Sequence, residues 1–393
     1  MRIREQPTKA TLGLLFAILL LDVIGISMLY PIAAYIVLRY SNDAFMVTLL
    51  TVIYAAAQFF AAPLLGKLGD KYGRRPVLLV SLAGSAIGYL IFGIAGSLWM
   101  LCLSRLIDGI TAGNQSVAAA YIADVSTPET RAQNFTLIGM AWGIGLVIGP
   151  ATGAALGQWW LDAPAFTAAG LSLLGIALGF FLLPESLPAA ERDATPLRLG
   201  DLNPFGAVIA FAGKPALGKL LLALCLFTFA FQGINSIETL FLIKKFAAQP
   251  WQIGALLVVA GLTIALVQRF VSPLVSRYGE QRIARASLFG LALGALAVCV
   301  APILWLIYLI NVFRTITSGL VFPTLGALMT SRVAPREQGA LMGVNTALSS
   351  CMSILGPLLA GTVYDRVMPS APYWMGAGVF VLAACMLVQA PLE

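Results

Sequence analysis

Three acidic residues, Asp22, Asp108 and Glu238, lie inside long apolar runs of a chain in which only 10% of residues are charged. A charge at membrane depth is costly, so such groups face a cavity or a partner. Asp22 sits in LLLDVIGI with no neighbouring base. A carboxyl there can load a proton on one side and release it on the other, or bind a cationic substrate. A structural hydrogen bond to a neighbouring helix is the plainer use. Arg105 and Asp108 are spaced i, i+3 and share one helix face, where the pair can simply neutralise itself. Glu238, in GINSIETLF, is a second titrating group, a substrate contact or an interface acid. Asn114, Gln115, Gln232 and Asn235 offer polar contacts to a cavity, or hydrogen bonds between helices. The chain has no histidine. Proton chemistry therefore falls to carboxylates, and the commonest metal ligand is missing.

Charge also gathers in GKLGDKYGRRPVLL, residues 66–79. Lys67, Asp70, Lys71, Arg74 and Arg75 fall within nine positions between two apolar runs. Gly66, Gly69 and Gly73 permit a tight turn. Asp70 is the odd member, an acid in a basic loop. Asp124, at the end of an apolar run, can pair with Arg74 or Arg75, or serve as a plain helix-end acid. A third pattern is GIGLVIGPATGAALG. Gly145, Gly149 and Gly153 recur every four residues and make a smooth ridge for close helix approach, while Pro150 bends the span. Such a helix can lie tightly against a partner across the interface between two halves and pivot there; generic tight packing is the plainer use.

Membrane-spanning helices must position these residues. The chain is 60% hydrophobic over 393 residues, with mean hydropathy +0.91. A soluble domain is nearer half apolar and a quarter charged. Apolar stretches of ~20 residues each suffice to cross a ~30 Å hydrocarbon core. Twelve spans are expected, at 11–37, 44–65, 76–96, 98–123, 132–157, 164–183, 216–243, 251–275, 284–300, 303–329, 338–362 and 372–390. The first is too long for a signal-peptide core and has no small-residue cleavage site, so it is read as retained. An alternating ten-residue pattern is missing, which disfavours a barrel. Seventeen Lys and Arg fall on the N-terminal side of the membrane; four (Arg39, Lys244, Lys245, Arg366) fall opposite. That bias predicts both termini in the cytoplasm. The net charge of +7 is thus mostly an orientation signal, and nucleic acid is not an expected partner. The five cysteines lie within or at the ends of spans without a pairing pattern and read as small apolar packing residues.

Residues 184–215 are rich in proline and charge and read as a cytoplasmic linker. They separate an N-terminal six-helix half, 1–183, from a C-terminal half, 216–393. The halves echo each other. Pro128, Gly149 and Pro150 recur as Pro335, Gly356 and Pro357 at a constant offset of 207 residues. RLIDGITAG, beginning at Arg105, has a counterpart in RTITSGLVF, beginning at Arg314. The charged loop has a weaker echo in SPLVSRYGEQR, 272–282. Parallel six-helix repeats with a midplane site build one large transporter class.

These stretches carry a resemblance. GKLGDKYGRRPVLL resembles the loop 2–3 signature of the major facilitator superfamily, and SRLIDGITAG its fourth-helix arginine signature. GIGLVIGPATGAALG resembles the fifth-helix motif of its drug–proton antiporters. LDVIGISMLYPI, VAAAYIADVSTPETRA and DAPAFTAAGLSLLGIALGFFLLPES look like the tetracycline-efflux branch. The likeness is specific from Leu21 to Ser186 and looser beyond. It implies the major facilitator fold and no cofactor. It implies a latch built from Gly66, Asp70, Gly73, Arg74 and Arg75. Asp70 would face the start of span 11 near Glu337 to Ala340, where a helix N-terminus offers partial positive charge. It links Arg105 to proton coupling. Gly88 follows LAGSAI where the tetracycline exporters are expected to carry an acid, and span 9 has no acid. Both departures argue against tetracycline itself as cargo.

The expected function is proton-coupled export of lipophilic or amphipathic small molecules by alternating access. The protein would work as a monomer in the inner (plasma) membrane. A defined metabolite, such as a sugar or lipid precursor, is the alternative cargo. Few charged cavity residues favour the lipophilic one. A membrane enzyme or receptor is a poorer fit: a GxSxG motif, a histidine metal set and the phosphate loop of ATP-driven pumps are all missing.

Overall fold

The computed structural model describes residues 9–192, 215–334 and 338–388. The described chain is all-α, with no strand. Its helices are α1 (Lys9–Met28), α2 (Ala33–Val37), α3 (Ala44–Tyr72), α4 (Arg74–Gly93), α5 (Leu98–Thr111), α6 (Asn114–Val125), α7 (Pro128–Trp159) and α8 (Ala163–Phe181). There follow α9 (Pro215–Phe246), α10 (Pro250–Tyr278), α11 (Glu280–Val300), α12 (Leu304–Thr330), α13 (Gln338–Arg366) and α14 (Ala371–Val388). Among the described residues, ten helices are long and apolar enough to cross a membrane. Taking α5 with α6 as one crossing, and adding the shorter apolar α14, gives twelve.

Three spans depart from the expected bounds. The second, expected over 44–65, stays helical to Tyr72, so Gly66 and Gly69 lie inside α3 and the tight turn expected of all three glycines is made at Gly73 alone. The first stops at Met28, and a turn then leads into the short α2, because Pro31 cannot donate the backbone hydrogen bond that would extend α1. The fourth, expected as one helix over 98–123, breaks at Ala112–Gly113. Gly113 packs against Leu65 so closely that a Cβ there would lie 2.8 Å from the leucine Cβ. A break at membrane depth is tolerated where it is buried in protein or lines a cavity.

The chain forms two compact units. The first comprises Met1–Tyr40, Ile53–Leu202 and Pro250–Val258; the second comprises Ser41–Val52, Asn203–Gln249 and Val259–Glu393. Of the expected linker, residues 193–214 lie outside the described residues.

In the first unit, α1 packs on α7 and α8, and α4 on α5 and α8. A core of Leu15, Ile18, Leu78, Leu82, Val117 and Ile122 fills the space between them. The glycine ridge of α7 faces α1. A Cβ at Gly149 would approach Ile24 O at 2.8 Å, and one at Gly153 would collide with the carbonyl of Met28. The ridge thus seats on α1, within the same unit. The far side of α7 is also closely covered. A Cβ at Gly254, at the start of α10, would lie 2.9 Å from Pro150 O.

In the second unit, α9 packs on α13 and α14, and α11 on α12 and α14. The α9–α13 contact repeats the α1–α7 one: a Cβ at Gly233 would lie 3.0 Å from Gly356 O. Phe227 sits among the rings of Phe231, Phe322 and Phe380. At the C-terminal end of α13, both carboxylate oxygens of Asp365 accept backbone N–H groups at the start of α3, Ala44 N at 2.9 Å and Phe45 N at 2.8 Å. Gly73 and Gly279 are the only glycines with positive φ among the described residues, at 106° and 78°. Gly73 directly precedes α4 and Gly279 directly precedes α11, so the sequence echo at 272–282 is also a conformational one.

Candidate transport site

Asp22 lies on α1, half-buried, at the wall of a small pocket. Asn114 Nδ2 donates to Asp22 Oδ1 at 2.8 Å. Asn114 is the first residue of α6, so the break in the fourth span sets this amide against the carboxylate. The Oδ1 of Asn114 is buried without a hydrogen-bond partner. Gln115 follows it and is exposed to the same pocket. Trp142 of α7 supplies an indole wall, and Leu19, Val23, Ile138 and Ala141 complete an apolar lining. The result is one carboxylate, one amide and one aromatic ring in an otherwise greasy recess of about 20 Å³, room for about one water.

Arg105 and Asp108 are buried on α5, with Arg105 Nη1 3.3 Å from Asp108 Oδ2. The pair is loosely made. Arg105 Nε and Asp108 Oδ2 both lack a hydrogen-bond partner. The rings of Phe92 and Tyr89 face the guanidinium at 4.8 and 5.7 Å. Ser104 Oγ donates to Gly88 O at 2.8 Å. A Cβ at Gly88 would lie 3.0 Å from Asp108 Cβ. The carboxylate of α5 therefore stands directly beside the position where the resemblance predicts an acid on α4.

The second unit holds its own buried pair. Arg314 of α12 donates to both oxygens of Glu238 on α9. Gly294 of α11 leaves room for the stem of Arg314, since a Cβ there would press on it. Gln232 Nε2 donates to Ser353 Oγ at 3.1 Å, a link between α9 and α13. Asn235 is exposed.

The charged turn between α3 and α4 is fastened around Arg74. Its Nε donates to Asp124 Oδ2 at 3.0 Å, its Nη2 lies 2.5 Å from Asp70 Oδ1, and its Nη1 donates to Gly66 O at 3.4 Å. Arg75 donates from Nε to Gly179 O at 3.1 Å and also bonds Phe180 O. The expected facing group for Asp70 begins at Glu337, which lies outside the described residues.

A model of the Major Facilitator Superfamily matches residues 15–242 and 220–391. The chain belongs to the major facilitator superfamily. It is 35% identical to tetracycline resistance protein, class C, of Escherichia coli over 375 residues, covering 94% of this chain and 93% of that protein. It is 30% identical to the Homo sapiens major facilitator superfamily domain-containing protein 10 over 351 residues, 85% of this chain and 76% of that one. Among solved structures it is similar to the human organic anion transporter MFSD10 (TETRAN), at TM-score 0.72 and 26% identity, covering 97% and 99% of the two chains. The nucleoside transporter NupG, at TM-score 0.79 and 16% identity over 97% and 98%, shares the fold. This superfamily member is a multi-pass membrane protein and a secondary transporter of small molecules, not an enzyme.

Three participants escaped sequence reasoning. Glu185 accepts the backbone N–H of Arg74 at 2.8 Å and that of Arg75 at 3.3 Å, capping α4. It reads as one more acid in a linker. Trp142 carries no motif, although a tryptophan far from a helix end is itself a signal. Arg314 was visible only as an echo of Arg105; its partner comes from a helix about 76 residues away and has no equivalent spacing in the first half.

Proposed function

We propose that this transporter exports lipophilic or amphipathic small molecules in exchange for protons. Alternating access of its two six-helix halves, 1–183 and 216–393, carries the exchange. The observation that supports this most is Asp22. One of its oxygens is held by Asn114, and the residue borders an apolar pocket at membrane depth. Such a carboxyl can exchange a proton for a cargo at one place. Arg105, Asp108 and Glu238 are the further coupling candidates. Gln115, Gln232, Asn235 and Asn114 are polar anchors for cargo. The Arg74 cluster, with Gly66, Asp70, Gly73, Arg75 and Asp124, serves as the latch, and Gly145, Gly149, Pro150 and Gly153 as the packing seam of the antiporter helix. The termini face the cytoplasm of a cell whose inner membrane holds the protein as a monomer.

Relatives named tetracycline resistance proteins support a drug-like cargo. Gly88 keeps tetracycline a compound to be tested, not assumed. A second reading has its own observation: Arg105 is buried with Nε unpartnered, and a solved relative is named an organic anion transporter. An anionic metabolite would suit that guanidinium.

Proteoliposomes with a trapped pH dye test both. Tetracycline, lipophilic cations and organic anions are added singly with no imposed gradient. Proton movement driven by a cation or by tetracycline, and lost in Asp22→Asn, is the expected result. Response to anions alone, unaffected by Asp22→Asn but lost in Arg105→Gln, would replace the first reading with the second.

A further inference from the structure

Seventeen lysines and arginines fall on one side of the membrane and four on the other, which leaves three of the 24 inside spans: Arg105, Arg269 and Arg314. Arg105 has Asp108 beside it, and Arg314 has Glu238. Arg269 of α10 differs from both. It is exposed, and among the described residues it has neither an ion pair nor a hydrogen bond. The nearby span acids are spoken for. Glu238 is engaged by Arg314, Asp365 by the backbone at the start of α3, and Glu280 lies at the turn beyond the end of α10.

The side of α10 that carries Arg269 is defined by its neighbours. Val267 is buried with Ile283 and Leu320, and Val271, Leu274 and Val275 pack against that cluster. Arg269 is two residues from Val267, so it projects from nearly the opposite side, about 200° round at 3.6 residues per turn. It also comes within about 60° of the side on which Gly254 meets Pro150 and Ala154 of α7. A charge inside a span faces a partner or a watery path for cargo or ions, because bare hydrocarbon is the costly alternative.

We propose that Arg269 is a cargo-recognition residue of the second unit, and that it takes the ionised carboxylate of an amphipathic cargo. This rests on the exporter reading and deepens it by naming a chemical group on the cargo. Leu262 and Leu266, seven and three residues before Arg269, share its helix face and are 57% and 59% exposed. An apolar body about 10 Å long can lie along them while its acid group meets the guanidinium. That guanidinium stays charged at any working pH and presents a planar fork matched to a carboxylate. The cargo brings the counter-charge that the neighbouring helices withhold.

The test is equilibrium dialysis of purified full-length protein in detergent, corrected against protein-free micelles. The probes are 2-naphthoate and its uncharged analogue 2-naphthamide, and the readout is the ratio of their affinities. Wild type should prefer the carboxylate. Arg269→Gln should reduce the ratio about tenfold or more, the scale of a hydrogen bond to a charged group, by weakening naphthoate and not naphthamide. Arg269→Lys should keep part of the preference, since the charge remains and the fork is lost. A ratio that survives in Arg269→Gln and falls in Arg105→Gln overturns the proposal and places the anion at Arg105. A ratio that survives in Arg269→Gln while copurifying phospholipid phosphate falls makes Arg269 a lipid-headgroup contact, and also overturns it. Wild-type protein with no preference for naphthoate overturns it too. The exporter reading then still stands or falls on Asp22→Asn in the pH-dye assay. If Arg269→Gln does not elute as a single folded species, Arg269→Lys decides: a ratio equal to wild type counts against the proposal.

Discussion

Arg314 of α12 crosses to α9 and engages both carboxylate oxygens of Glu238, and the two side chains are only 8% and 13% exposed. Removing one partner of a buried ion pair leaves an uncompensated charge and costs roughly 3–5 kcal/mol, whereas removing both is often close to neutral. Glu238→Gln and Arg314→Gln should each lower the thermal midpoint in detergent. The double variant should recover much of the loss. A double-mutant cycle measures the coupling, and strictly additive losses would show that the pair contributes none.

Asp22→Asn should leave the fold intact. An amide oxygen can still accept from Asn114 Nδ2, so the α1–α6 link survives. The proton function goes, because an amide does not titrate in the physiological range. Cargo-driven proton movement should vanish, with the unfolding midpoint within a degree or two of wild type. A large drop in the midpoint would recast Asp22 as a structural residue.

The seam between α7 and α1 makes a graded prediction. Gly153→Ala places a methyl group against the carbonyl of Met28, while Gly143 on the same helix has no atom within 4 Å of its Cβ position. Overpacking costs about 1–3 kcal/mol. Gly153→Ala should reduce folded yield and thermal midpoint, and Gly143→Ala should change neither. Equal behaviour would mean that α1 and α7 do not meet through this ridge.

Gly73 and Gly279 separate backbone strain from crowding. Both have positive φ with ψ near 150°, a region essentially confined to glycine, which costs an alanine roughly 1–3 kcal/mol. Only Gly73 also has Glu185 against it, with the carboxyl carbon 2.9 Å from a built Cβ; Gly279 has open space. Gly73→Ala should therefore be the more destabilising, and Glu185→Ala in its background should narrow the gap. Unfolding curves of the three variants suffice.

The fold was almost entirely legible, because hydropathy over 20-residue windows is a strong signal in a chain this apolar. The motifs also located the crowded places: the ridge at Gly149 and Gly153 does meet a helix closely. Its partner was not legible, since a small-residue face says that something approaches but not which of eleven other spans does. The break at Gly113 was hidden for a related reason. TAGNQS offers a weak helix former and polar residues, yet the close approach that calls for a glycine at 113 comes from Leu65 of another span. At the site, single residues could be named from type and depth. Pairings across helices, such as Asp22 with Asn114 or Arg314 with Glu238, come from packing and leave no spacing to read.

The break in the fourth span also bears on how the chain is made. α5 has 14 residues and α6 has 12. At ~1.5 Å per residue, neither alone reaches across a ~30 Å core. The polar joint between them must therefore find company as it enters the bilayer. Leu65, which covers Gly113, and Asp22, which takes the amide of Asn114, both precede it in the chain. Synthesis from the N-terminus thus delivers the least lipid-compatible segment to neighbours that have already been inserted.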